Sequence, residues 1–149
     1  MSVRALDELL DAIRKRWTER GLRLAPTLGE IDEFNRRLGV TLPAQFATYL
    51  KRVGGMVDEA VDRNLLAFWS VARIERDAPA LRVRYGDLIA FADFDFEASR
   101  YLLSCRDGDL GVVYLEGVSL VPIAPSFEAF LELYLWDVGA IMPGRGGGT

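Results

Sequence analysis

The hydrophobic period of this chain changes after Gly54-Gly55, and that change dictates a mixed fold. Before the glycine pair, apolar residues recur every three or four positions, the repeat of one helical face. In the segments between Leu88 and Ile123 they fall at every second position, the repeat of a strand with two distinct faces. A chain patterned in this way buries helical stripes against a sheet.

Three helices are signalled in the first part. Leu6, Leu9, Leu10, Ile13 and Trp17 share one face, with Asp7, Glu8 and Asp11 early and Arg14, Lys15 and Arg16 late, an order that complements the helix dipole. Gly21 stops that helix. Thr27 and Glu30 have capping-box spacing and predict a second helix carrying Ile31, Phe34 and Leu38 inward, ended by Gly39. Pro43 opens a third, with Phe46, Tyr49, Leu50 and Val53 inward and Gly54-Gly55 as its stop.

Residues 56–64 read as a polar loop and Leu65 to Trp69 as a short strand. Ser70 to Asp77 predicts a helical turn closed by Pro79. Leu88 to Phe96, the Tyr101-Leu103-Cys105 alternation, Val112 to Leu115 and Val118 to Ile123 predict four more strands, joined by turns at Asp107-Gly108-Asp109 and Glu116-Gly117. Pro122 lacks a backbone donor, which places the last strand at an edge or strand end. Ser126 starts a final helix running to about Val138. Its polar stripe of Glu128, Glu132 and Asp137 is narrow, so it is covered on more than one side. The expected fold class is α+β, a mainly antiparallel sheet of about five strands with the N-terminal helices and the C-terminal helix packed on it. One domain over residues 1–142 and a flexible Gly-rich tail over 143–149 are expected.

The side-chain inventory removes much chemistry. There is no histidine, and Cys105 is the only cysteine. The usual zinc sites, an intrachain disulfide, and the Ser-His-Asp and Cys-His nucleophile systems are therefore excluded. The expectation is a protein that is not an enzyme and holds no metal or cofactor. No stretch approaches the roughly 18 apolar residues of a membrane span. The N-terminus lacks the apolar core of a signal peptide, so the cytoplasm is the expected compartment. Net charge is −4, which argues against nucleic acid as a partner. Its distribution is uneven: residues 1–55 hold ten basic and seven acidic side chains, whereas residues 56–149 hold eight and fifteen. The later part offers a negative face to a basic partner.

The ordered series Trp17, Leu24-Ala25-Pro26-Thr27, Glu30-Ile31, Phe34, Gly39-Val40-Thr41-Leu42-Pro43, Phe46 and Tyr49-Leu50 carries a family resemblance. It continues through Gly54-Gly55, Phe68-Trp69-Ser70, Ala90-Phe91-Ala92 and Ser126-Phe127-Glu128-Ala129-Phe130-Leu131. The chain resembles the SUKH superfamily, built around fungal cell-wall regulators and bacterial immunity proteins, over roughly residues 5–137. The resemblance implies non-enzymatic work: an immunity protein that neutralises a cognate, often nucleic-acid-targeting toxin by occluding its active site. The alternative is a regulatory protein-interaction module without a toxin partner. No functional residue is carried over from the family.

Candidate partner-binding residues come from this sequence alone. Asp93, Asp95 and Glu97 would project from one side of an extended strand and meet a basic groove. Asp58, Glu59 and Asp62 lie in the loop after Gly54-Gly55, where binding contacts vary. Trp69, Phe96 and Trp136 are the aromatic candidates for interface anchors. Each set has a plainer alternative: a solvated strand end, an ordinary polar loop, and core aromatics. Cys105 reads as a small core residue.

Overall fold

A computed structural model describes residues 3–106 and 111–142. The turn expected at Asp107-Gly108-Asp109 and the tail from residue 143 lie outside them. Three helices come first: α1 (Val3–Glu19), α2 (Ile31–Leu38) and α3 (Ala44–Arg52). They are followed by β1 (Leu66–Phe68), α4 (Val71–Tyr85), β2 (Leu88–Phe94), β3 (Ser99–Ser104), β4 (Val112–Glu116), β5 (Ser119–Ala124) and α5 (Phe127–Trp136). A 3-10 turn over Val138–Ile141 closes the described chain. The five strands form one antiparallel sheet in sequence order, as the short turns between them require. Pro122 lies in β5, which pairs only with β4 and is one of the sheet's two edge strands.

Local chemistry departs from the sequence reading in three places. Glu30 is the N-cap of α2 and no side chain caps that helix, so Thr27 and Glu30 make no capping box. Pro79 lies inside α4 rather than closing it. Ser70 starts that helix firmly, its hydroxyl accepting from the Arg73 amide at 3.1 Å. Glu128, expected on a solvated stripe, is 1% exposed. Its backbone N–H donates to Gln45 Oε1 of α3, so this turn of α5 lies against α3.

An aromatic core joins the helices to one face of the sheet. Phe46 and Tyr49 from α3, Phe68 from β1, Phe91 from β2, Tyr101 from β3, and Phe127, Phe130 and Tyr134 from α5 meet at centroid separations of 4.7 to 6.4 Å. Each buried ring contributes roughly 1.5–3 kcal/mol through removal from water. Leu9, Leu10, Ile13 and Trp17 bring α1 into the same cluster, which extends to Ile141.

Three polar side chains inside this core are paired in a chain, whereas the buried Tyr49 hydroxyl has no hydrogen-bond partner among the described residues. Trp17 Nε1–H donates to Tyr134 Oη at 2.8 Å, and Tyr134 O–H donates to Asp62 Oδ2 at 2.7 Å. The other oxygen of Asp62 accepts the backbone N–H groups of Asn64 and Leu66. One carboxylate thus fixes the entry to β1 and, through Tyr134, the pose of α1 on α5. Burial, with Asp62 beside it, pushes the Tyr134 hydroxyl far above its usual pKa, so it stays a donor.

The Gly54-Gly55 pair does more than end a helix. Gly55 has φ +90°, and a Cβ there would stand 2.2 Å from the Trp69 carbonyl oxygen. The chain then runs beside β1, with the Met56 and Asp62 amides donating to Phe68 and Leu66 carbonyls. That cover protects the β1 edge.

Two stability outcomes follow. Tyr134→Phe leaves the Trp17 N–H without its acceptor and one Asp62 oxygen without its donor. Urea denaturation is expected to show a loss of about 2–3 kcal/mol; an unchanged midpoint would refute the role given to this chain. Desolvation, with Glu132 adding to it, raises the Glu128 pKa, so the folded state binds that proton more tightly than the unfolded state does. The destabilisation is absent below the unfolded pKa and grows as pH rises through the folded one. Glu128→Gln is therefore expected to unfold at higher temperature than the parent at pH 7, the gap closing as pH falls toward the ordinary glutamate range.

Candidate functional site

A cleft of about 500 Å³ opens where the first turns of α4 meet the β2–β3 turn and the loop before β1. Asp58 and Glu59 line it from the loop, Arg73, Arg76 and Asp77 from α4, and Asp93, Phe96 and Glu97 from β2 and its turn. Five carboxylates face two guanidinium groups, a local excess of negative charge.

The floor is a buried ionic cluster. Arg73 lies over the Trp69 ring, its guanidinium carbon 4.1 Å from the centroid. It pairs with Asp93 and Glu97, both at 3.2 Å. Asp93, 2% exposed, also accepts the Trp69 indole N–H at 2.7 Å and the Glu97 amide at 3.2 Å. Its charge is thus matched by one cation and two neutral donors, as a buried carboxylate requires. Closer to solvent, Asp58 accepts from the Ser70 hydroxyl at 2.9 Å and stands 3.9 Å from Arg76.

A bulge explains why Asp93 faces this cluster. Strict alternation from Phe91 would send it into the aromatic core. The register instead pairs Ala90 with Leu102 and Ala92 with Tyr101, so β2 carries one extra residue between them. Phe91 packs on Phe130 at 5.3 Å, and Tyr101, opposite Ala92, packs on the same ring. Both bulge residues therefore turn toward α5, and Asp93 emerges on the opposite face beneath α4.

The β2–β3 turn is strained. β2 ends at Phe94, and Asp95, Phe96 and Glu97 have φ of 54°, 52° and 73°. Glu59 and Leu65 in the facing loop have φ of 72° and 65°. Among the described residues these five are the positive-φ positions other than glycine, and all stand at one end of the sheet. The left-handed conformation costs an L-residue roughly 1–2 kcal/mol. Here it is held by the Asp95 amide on the Leu65 carbonyl, the Ala98 amide on the Asp95 carbonyl and the Glu97 amide on Asp93.

The nine sequence candidates separate by burial. Asp95, Phe96, Glu97, Asp58 and Glu59 are exposed around this cleft and its rim. Asp93 and Trp69 are buried beneath it, and Asp62 is buried in the Tyr134 network, so none of these three presents its side chain to a partner. The expected strand stripe of Asp93, Asp95 and Glu97 is replaced by one buried carboxylate and a turn. Trp136 is 68% exposed, beyond the cleft. Sequence reading missed Arg73, whose signal was a cation one helical turn after Trp69 and three residues after a Ser N-cap. Cys105 is half-buried, and burial pushes its thiol up to about 12, which suits a packing residue. Among the described residues no group of three or more carboxylate or thiol side chains is arranged to hold a metal, and no helix is long and apolar enough to cross a membrane.

Fold and site together define an α+β domain: helices on an antiparallel meander, with an acidic cleft at one end of the sheet. The family whose model matches residues 25–133 is the SMI1 / KNR4 family (SUKH-1), and the chain belongs to it. No curated protein matches the chain as a relative.

Two substitutions separate the parts of this site. Asp93→Ala strips Arg73 and the Trp69 N–H of a buried partner and is expected to cost about 3 kcal/mol in denaturant unfolding. Phe96→Gly removes an exposed ring and relieves a positive φ, so its thermal midpoint is expected to match or exceed the parent's. A large loss from Phe96→Gly would show that the ring is structural.

Proposed function

We propose that this chain is a non-enzymatic protein-binding domain of the immunity type, which neutralises a cognate toxin by covering its active site or an adjacent groove. The observation that carries the reading is the coincidence of backbone strain with exposed charge. Every described non-glycine residue in the left-handed region stands at one acidic end of the sheet. Strain of this kind persists where the surrounding structure enforces it, and it gathers at ligand-binding elements. Membership of the SMI1 / KNR4 family (SUKH-1) supports protein interaction as the mode of action.

Glu59, Asp95 and Glu97 form the charged rim, Phe96 is the aromatic anchor, and Arg73, Trp69 and Asp93 hold the turn from below. A partner with a basic groove would be steered toward such a rim, and a stable complex would bury about 1,600 Å² in total. Arg73 pairs with Asp93 and Glu97, and Arg76 with Asp58 and Asp77, so most of the cleft's carboxylates are held by its own cations, and the chain has no imidazole for proton transfer.

Co-purification with the product of the neighbouring open reading frame tests the reading. Complex formation is expected, weakening as salt rises and falling at least about tenfold for the pair Glu59→Lys and Asp95→Lys. Binding indifferent to both salt and charge reversal would discard the acidic rim. An intact toxin activity in the complex would discard neutralisation.

A further inference from the structure

The exposed large apolar side chains are not scattered. Among the described residues they are Leu65, Val83, Phe96, Val118, Leu120 and Trp136. The strand register places most of them together. Leu66 pairs with Phe94, Phe94 with Ser99, Arg100 with Leu115, and Glu116 with Ser119. Leu65, the Phe96 turn, Val118 and Leu120 therefore stand at the same end of the sheet.

Trp136 joins them through α5. That helix starts beyond Ala124, at the opposite end, and runs back. Tyr134 bonds Asp62, and Asp62 bonds the Leu66 amide, so the last turn of α5 reaches the end where β1 begins. Val83, 91% exposed in the last turn of α4, stands apart as the sixth. Large apolar side chains gathered at one end of a molecule and rimmed by charge mark interaction surfaces.

We infer that this whole end of the sheet, from Leu65 and Phe96 across Val118 and Leu120 to Trp136, is one docking surface for a basic protein. The inference rests on the functional reading above and extends it beyond the cleft to the β4–β5 turn and the end of α5. Charge selects the occupant. Glu59, Asp95, Glu116 and Asp137 are exposed at this end, as is Glu97, which already pairs with Arg73 and Arg100; they outnumber Arg63, an exposed cation beside Leu65. A second copy of the chain would set like charges against one another, whereas a basic surface would be attracted to the acids and bury the apolar side chains between them. Phe96 and Trp136 are the natural anchors, because large aromatic side chains carry much of the energy of an interface.

Calorimetric titration against the purified product of the neighbouring open reading frame tests the assignment, with circular dichroism confirming that each variant is folded. Trp136→Ala is expected to weaken binding at least about tenfold, the size of a central anchor. Val118→Ser should weaken it several-fold, and Val83→Ser should leave it unchanged. If Trp136→Ala and Val118→Ser bind as the parent does while Glu59→Lys and Asp95→Lys still weaken the complex, the extended surface is overturned and the cleft reading stands. If the parent chain binds nothing in this titration, the functional reading and this surface fall together. The free chain is expected to sediment as a monomer; a dimer dispersed by Trp136→Ala would make a second copy the occupant and overturn the assignment.

Discussion

The carboxylate of Asp93 is the constraint on which the functional end of this molecule depends. It is buried between sheet and helix, where an unpaired charge would cost several kcal/mol. Its partners come from three elements: the Trp69 indole after β1, the Arg73 guanidinium on α4 and the Glu97 amide in the β2–β3 turn. Meeting the demands of one buried charge therefore fixes the height of α4 over the sheet and the path of the turn. The exposed residues of that turn inherit their positions from it.

A second buried carboxylate plays the same part on the other side of β1. Asp62 draws in Tyr134 and, through it, Trp17, so α1 and α5 are keyed to the loop that precedes the sheet. The aromatic core supplies most of the stabilisation. These two polar anchors determine how the loop and the turn are presented at its margin. Three sequence candidates for partner contact, Asp62, Asp93 and Trp69, belong to this hidden scaffold. Their influence on binding would act through the positions of Glu59, Asp95 and Phe96.

Much of the architecture was legible in the sequence because it follows from period. Helical stripes such as Leu9, Ile13 and Trp17 state which face is buried, and the Tyr101-Leu103 alternation marks a strand, although β3 is buried on both faces, Leu102 included. The Asp93-Asp95-Glu97 stripe failed for two reasons that period cannot express. A bulge at Phe91 changes the face on which Asp93 emerges, and the chain leaves the strand at Phe94 to enter left-handed conformations. The helix ends show the same limit. Thr27 and Glu30 have the spacing of a capping box without forming one, and Pro79 is accommodated within α4. Grouping Leu65, Val118 and Trp136 needed the register itself, since they lie far apart along the chain.

The central claim is that this chain acts through one end of its sheet, presenting strained acidic turns and exposed apolar anchors to a basic protein. Hydrogen–deuterium exchange of the chain, free and bound to the product of the neighbouring open reading frame, tests it most directly. The account predicts slowed exchange across residues 58–65, 95–98 and 116–120 and the last turn of α5, with α1 to α3 unchanged. Protection confined to the N-terminal helices, with these segments exchanging as in the free chain, would contradict it.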